Sequence, residues 1–239
     1  MRTIAFALLI LWACQPEKEV FAQEILVFSK TGGFRHKSIE PGKEALRKMG
    51  EKNKWKMTFS EDSTIFNTEA LKAVKVVVFL NTTGNILNED QQKAFEAFIQ
   101  RGGGFVGIHA AADTEYDWPW YGQLVGGYFK SHPKTQQASI KVIDRKHPST
   151  KHLEPVWTRT DEWYNYKEPI KSEYRVLAEV DESSYEGGGM GDKHPIVWCH
   201  EFDGGRAFYT GLGHTDESFS EEAYLTHLEK AILWAMGKK

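Results

Sequence analysis

The stretch VKVVVFLNTTGNILNEDQQKAFEAFIQRGGGFVGIHAA, residues 74–111, decides the fold class of this chain. It opens with Val74–Leu80, an almost continuous apolar run of the kind found in strands that are buried on both faces. Apolar residues then recur at helical spacing over residues 88–101, which begin with an asparagine N-cap and end at three glycines. Residues 105–108 predict a second strand that runs directly into His109.

The same alternation of strand-like and helix-like segments extends through the chain on both sides of this stretch. The other predicted strands are residues 25–28, 55–59, 138–143, 174–180, 196–200 and 206–210. Two further helices are predicted over residues 38–50, with Ser38 as the N-cap, and over residues 221–236. Because no long linker or repeat interrupts the pattern, residues 23–239 are predicted to form one α/β domain with helices on both faces of a mostly parallel sheet.

Composition agrees with one globular domain and argues against a nucleic-acid partner. The chain has 239 residues, of which 41% are hydrophobic, which is enough for a sizeable core. It carries 30 Lys and Arg against 33 Asp and Glu, a formal net charge of -3. A chain with this balance has no strong basic field with which to hold phosphates, so we expect no nucleic acid to bind.

Residues 1–22 are predicted to be a bacterial export signal, because Arg2 precedes an apolar run, residues 4–13, that is too short to span a bilayer. Residues 11–14 (LWAC) resemble a lipobox with Cys14 as the lipidation site, whereas residues 20–22 (VFA) resemble a signal peptidase I site. We favour the lipobox; plain secretion with an incidental Cys14 is the alternative. The predicted location is the periplasm or the outer membrane, with membrane contact through the lipid anchor alone.

Histidines follow several of the predicted strands, at the places where open parallel sheets bind ligands. They lie in residues 34–36 (FRH), 107–111 (GIHAA), 131–133 (SHP) and 210–214 (TGLGH). In GIHAA a strand ends in a tight turn of small residues, as at a nucleophile elbow, so His109 is predicted to point into the cleft. The other three are also consistent with structural histidines, and His147, His152, His194, His200 and His227 are expected to serve the core or surface.

Taken in order, these segments resemble the ThuA-like family, which is named for trehalose utilisation and is related in fold to class I glutamine amidotransferases. The resemblance also rests on residues 161–164 (DEWY), 195–198 (PIVW) and 205–214 (GRAFYTGLGH). It implies a three-layer, flavodoxin-like fold. An amidotransferase needs a thiolate at the elbow, where this chain has His109, so glutaminase activity is not expected. His214 with Asp216 resembles a remnant of the family's histidine and acid pair, and Cys199 is expected to be a core residue.

Several imidazoles in one pocket allow two chemistries. They can act as general acid and base on a polar substrate, or they can bind a divalent metal such as zinc with Asp161 or Glu162 completing the shell. The sequence has no HExxH or paired-cysteine motif, so we favour acid–base chemistry. No definite cofactor is predicted, and a divalent metal such as zinc is the alternative. The predicted catalytic residues are His109, His214, His132, Glu162 and Asp161.

Tryptophan and tyrosine crowd into residues 116–121 and 157–166, beside carboxylates. Flat rings next to hydrogen-bonding groups suit a sugar, although rings under irregular loops also fill cores. The predicted substrate-binding residues are Arg35, His36, Asp113, Trp118, Trp163 and Tyr164. The sequence therefore predicts an exported protein of carbohydrate utilisation that cleaves a sugar or glycoside, a keto sugar included, by hydrolysis or lyase chemistry. A non-catalytic sugar-binding module and a metal-dependent hydrolase are the alternatives.

Overall fold

The computed structural model describes residues 23–238. The predicted export signal and Cys14 lie outside the described residues. The strands are β1 Gln23–Phe28, β2 Trp55–Ser60, β3 Val74–Leu80, β4 Gly104–Ile108, β5 Phe129–Ser131, β6 Gln136–Val142, β7 Val156–Asp161, β8 Asn165–Tyr166, β9 Arg175–Val180, β10 Pro195–Phe202 and β11 Gly205–Thr210. The helices are α1 Ile39–Asn53, α2 Thr68–Leu71, α3 Glu89–Gln100, α4 Pro119–Val125 and α5 Glu222–Ala235. Among them, no helix has the length and apolar character to cross a membrane.

Nine strands form one sheet in the order β2-β1-β3-β4-β11-β10-β9-β6-β7, and β5 pairs separately with β8. From β2 to β11 every neighbouring pair is parallel. From β11 to β7 every pair is antiparallel, so this large sheet is mixed rather than parallel throughout. The cause is the connections: β10 and β11 are joined by the two-residue turn Asp203-Gly204, both at positive φ, which makes a hairpin and leaves no room for a crossover helix.

The sheet has helices on both faces, which gives the three layers. Along β1, Ile25 and Val27 pack in the core that includes residues of α1 and α5, whereas Leu26 and Phe28 face the core that includes residues of α3 and α4. A central strand buried on both faces has apolar residues at consecutive positions, which is why its sequence does not alternate.

The two predicted N-caps have different outcomes. Asn88 forms a full capping box with Gln91: each side chain accepts a hydrogen bond from the other residue's backbone N–H. Ser38 is the N-cap residue of α1, as predicted, but its side chain makes no capping hydrogen bond. Its hydroxyl instead donates to the carbonyl of Gly213, 3.1 Å away, and accepts from Asn81 Nδ2 at 2.9 Å. These bonds join the loop after β1 to the loops after β3 and β11.

Candidate functional site

The carboxyl ends of the parallel strands lie at one edge of the sheet, and the functional side chains are carried just beyond them. His36 follows β1, His109 follows β4 and His214 follows β11. Glu162 follows β7, and His132 comes directly after the short strand β5. The structure brings these five side chains, four histidines and one glutamate, into one cluster.

His109 occupies the turn at the end of β4 with a φ of +46°, a conformation uncommon for a residue with a side chain. The Tyr209 hydroxyl donates to its carbonyl at 2.8 Å. Nδ1 of the His109 ring lies 2.8 Å from the carbonyl oxygen of Gly211. Since a carbonyl can only accept, the ring donates from Nδ1, and a neutral ring then carries its lone pair on Nε2.

That Nε2 atom faces Glu162. Glu162 Oε2 lies 3.5 Å from Nε2 of His109 and 3.3 Å from Nδ1 of His214, and its other oxygen, Oε1, lies 3.0 Å from Nδ1 of His132. The rings of His36, His109 and His214 stand with their centroids 5.0 to 5.2 Å apart. Three imidazoles and one carboxylate therefore surround a single small space.

Burial favours the neutral form of two of the inner rings, those of His36 and His214. It lowers the pKa of His36 to about 2, with the neighbouring ring of His109 acting in the same direction. Burial also lowers the pKa of His214 below the ordinary value for histidine. Neutral imidazoles keep a lone pair, and Nδ1 of His36, Nε2 of His109 and Nδ1 of His214 are buried without a hydrogen-bond partner among the described residues. Because a ligand atom from each of these rings and from Glu162 lies within 4.8 Å of the others, these four residues could hold a metal ion.

Above the cluster lies a cavity of about 300 Å³. Its lining residues are Phe34, His36, Asp113, Phe129, His132, Glu162, Tyr164 and His214. His132 is 42% exposed, whereas the Glu162 side chain is 8% exposed. Asp113 accepts a hydrogen bond from Tyr116 at 2.6 Å, and burial raises the pKa of its carboxyl. The cavity thus combines aromatic, acidic and imidazole groups.

His109 does not line this cavity, contrary to the sequence-based expectation that it points into the cleft. It has no exposed surface, because the Tyr164 ring lies over it at 4.2 Å between centroids and the rings of His36 and His214 pack beside it. A substrate in the cavity cannot touch it. His109 is the innermost member of the cluster.

Asp161, predicted to be catalytic, is occupied by structural bonds. One oxygen accepts from the backbone N–H groups of Glu162 and His214, both at 3.0 Å. The other accepts from the backbone N–H of Gly213 at 2.9 Å and lies 3.1 Å from the Arg159 guanidinium. Asp161 therefore holds the backbone of two cluster residues in place and offers no free oxygen to a substrate.

Three predicted substrate-binding residues lie outside the cavity lining. Trp163 is fully buried and donates from its ring to the carbonyl of Gln136, and Trp118 donates to Glu96. Both rings are buried in the core, and the N–H group of each donates a hydrogen bond to an acceptor outside the cavity lining. Arg35 is paired with Glu40 and Glu61 at the surface.

Phe34 and Phe129 line the cavity, and sequence reasoning did not select them. Phe34 is 67% exposed, a large apolar surface for a residue beside a polar pocket. The available signal was spacing, since each phenylalanine stands two or three residues before a predicted site histidine.

The chain matches the family model described as ThuA, trehalose utilisation, over residues 24–235. Among solved structures it is similar to a ThuA-like protein from Bacteroides uniformis, with 24% identity, a TM-score of 0.78, and 93% of this chain and 94% of that chain covered. A ThuA-like protein from Parabacteroides merdae has 19% identity and a TM-score of 0.76, with 90% and 91% covered. The cytoplasmic protein STM3548 from Salmonella typhimurium has 10% identity and a TM-score of 0.62, with 88% and 98% covered.

No curated protein matches the chain. The likeness to the solved structures confirms the predicted α/β fold class. A family model that covers nearly all of the described residues also confirms the resemblance proposed from the histidine segments. This chain belongs to the ThuA family, described as a family of trehalose utilisation.

Proposed function

We propose that this protein is an enzyme of carbohydrate utilisation that cleaves a sugar or glycoside, a keto sugar included, by hydrolysis or lyase-type chemistry in the cavity above the histidine cluster. One observation carries the proposal: aromatic rings and a carboxylate–imidazole pair line the same small cavity. The trehalose-utilisation description of the family supports the choice of substrate class.

The lining chemistry suits a sugar. The rings of Phe34, Phe129 and Tyr164 provide flat apolar surfaces for the CH faces of a pyranose, while Asp113 and Glu162 can accept hydrogen bonds from its hydroxyl groups. A cavity of about 300 Å³ is at the small end of ligand pockets, so it fits one or two sugar rings better than a polymer.

The pair formed by His132 and Glu162 supplies the acid–base group. Nδ1 of His132 lies 3.0 Å from Glu162 Oε1 and 2.9 Å from the carbonyl oxygen of Pro133. Both neighbours are acceptors, so the ring donates from Nδ1 and its Nε2 remains available to take or give a proton. Because His132 is partly exposed in the cavity and His109 is sealed beneath it, His132 is the histidine we assign to proton transfer.

The test is product formation from defined sugars. The purified protein is incubated with trehalose, an aryl glucoside and the keto derivative of each, and the products are followed by NMR. We expect turnover of at least one of them, and we expect His132→Gln to lower it by about 100-fold or more, the usual contribution of a positioned acid or base.

His152→Gln is the matched control, because His152 is an exposed histidine that bonds the carbonyl of Ala223 outside the cavity lining. Its turnover should equal that of the wild type. A sugar that binds and is recovered intact after long incubation would favour the non-catalytic binding module. Full turnover by His132→Gln would remove the assigned role of that residue.

We further propose export as a lipoprotein, supported by the charge, the apolar run and the lipobox-like LWAC of residues 1–14. The Salmonella relative is named a cytoplasmic protein, so location needs a direct test on this chain. Expression in a bacterial host with labelled palmitate should give a labelled membrane-associated protein, and Cys14→Ser should abolish the label. A soluble cytoplasmic wild type would contradict the proposal.

A further inference from the structure

We propose that His36, His109, His214 and Glu162 form a binding site for one divalent first-row transition-metal ion, with Zn²⁺ as its reference occupant. The ion would lie on the floor of the cavity, with His109 below it. This inference concerns the inner cluster and does not depend on which sugar, if any, the outer cavity accepts.

The separations between donor atoms fit a common ion. Ligands at about 2.1 Å from a tetrahedral zinc ion stand about 3.4 Å from one another. Glu162 Oε2 lies 3.5 Å from the His109 ring nitrogen and 3.3 Å from that of His214, which agrees with this spacing. The four ligand atoms all lie within 4.8 Å of one another, so the widest pair would close by about 1.4 Å at most around a tetrahedral ion.

The unpaired nitrogens argue against a purely structural cluster. A buried polar atom without a partner costs about 1–3 kcal/mol, so proteins seldom leave several of them together. Within residues 23–238, His36, His109 and His214 each have such an atom, and the rings meet edge to face. One ion accepts all three lone pairs and the carboxylate at once.

Two residues of the cluster are held by outer contacts of the kind that orient metal ligands. The His109 ring is oriented by its Nδ1–H bond to the Gly211 carbonyl, which leaves Nε2 as the donor atom. Glu162 turns Oε2 toward the cluster while its Oε1 pairs with His132. A ligand histidine and a ligand carboxylate that each have an outer hydrogen-bond partner are the normal arrangement in metal sites.

The donor set selects the class of metal. Imidazole suits zinc, iron, copper and nickel, whereas magnesium and calcium prefer sites made of oxygen atoms. Three nitrogens and one carboxylate therefore indicate a first-row transition metal. His36, Glu162 and His214 also line the cavity, so a ligand there would reach the ion by expanding its shell of four protein ligands to five.

The test measures zinc binding, not activity. The full chain, purified without a histidine tag, is dialysed against a chelator and then titrated with ZnCl₂ by calorimetry, and bound zinc is measured by elemental analysis. We expect one equivalent. Glu162→Gln keeps the shape of the side chain and should weaken binding by about 100-fold or more, since even outer-sphere changes cost about 10–100-fold.

Three further variants complete the design. His109→Gln should weaken binding to a similar degree, and its urea midpoint without metal shows whether it still folds. His152→Gln and His200→Gln remove histidines outside the cluster and should bind zinc as the wild type does. If a substituted protein fails to fold, the visible absorption of Co²⁺ bound to the wild type reports independently whether imidazole nitrogens surround the ion.

Absence of stoichiometric zinc in the wild type, or equal affinity in the Glu162 variant and the wild type, would overturn the proposal. The two proposals fail separately. A chelated, zinc-free protein that binds no metal yet cleaves a sugar removes only the metal site, and a zinc-loaded protein that leaves every sugar intact removes only the proposed function.

Discussion

Asp161 provides the sharpest test of how the site is held together. Its carboxylate and the Arg159 guanidinium form an ion pair at 3.1 Å, with side-chain exposures of 0% and 3%. The same carboxylate accepts three backbone N–H groups, two of which belong to Glu162 and His214. We predict that Asp161→Ala severely destabilises the fold, because it removes one of the two carboxylates paired with the buried Arg159 guanidinium and leaves three backbone N–H groups without their acceptor.

The magnitude follows from these contacts. Removing one partner of a buried ion pair costs about 3–5 kcal/mol. Arg159 keeps a second carboxylate, since its Nη1 lies 3.2 Å from Glu221 Oε2, so the low end of that range applies and we expect a loss of about 3 kcal/mol. For a domain of this size the melting temperature should fall by about 6–12 °C.

Urea unfolding followed by circular dichroism measures the effect on Asp161→Ala, Asp161→Asn, Arg159→Met and the Arg159→Met/Asp161→Asn double variant. The double variant should lose less than the sum of the two single losses, by about 1 kcal/mol or more, because neither charge is then left alone. A loss below about 1 kcal/mol in Asp161→Ala, together with abolished turnover, would refute this reasoning, since Asp161 would then act chemically and not as a support.

Three further predictions concern single positions. Burial lowers the pKa of His227 from 6.5 to about 3. Between these values the unfolded chain binds a proton that the folded chain does not, so stability falls as the pH falls. The loss should be about 2 kcal/mol between about pH 7.5 and pH 5. The free energy of unfolding, measured with urea at each pH, should depend less on pH in His227→Gln than in the wild type. An equal pH dependence of the two proteins would contradict the role of His227. Asn88→Ala should lower the free energy of unfolding by about 1 kcal/mol and leave sugar turnover unchanged. A loss of turnover measured in the same preparation would contradict its purely structural role. Gly211→Ala would place a Cβ 2.5 Å from Ile196 Cδ1. It should cost about 1–3 kcal/mol by urea unfolding and lower zinc affinity; an unchanged midpoint would show that the strand adjusts freely.

Local sequence patterns were sufficient to predict most of the strands and helices. The apolar run of β3 and the N-cap Asn88 of α3 depend on neighbouring residues, so both could be predicted from the sequence. Strand β7 was not predicted, although its residues are alternately exposed and buried. Its inward positions include Arg159 and Asp161, and charged residues at inward positions hide the apolar alternation by which a strand is recognised.

The sequence by itself determined which residue type follows three of the predicted strands: a histidine after each of β1, β4 and β11. Which residue follows a strand is a local property, because the covalent chain alone sets it. Only the tertiary structure decided that His109 is sealed beneath the cavity, that Asp161 is bound by backbone groups and that Glu162 faces the rings. The burial of a side chain and its hydrogen-bond partners depend on loops from distant parts of the chain that pack together. No local sequence pattern predicts that packing.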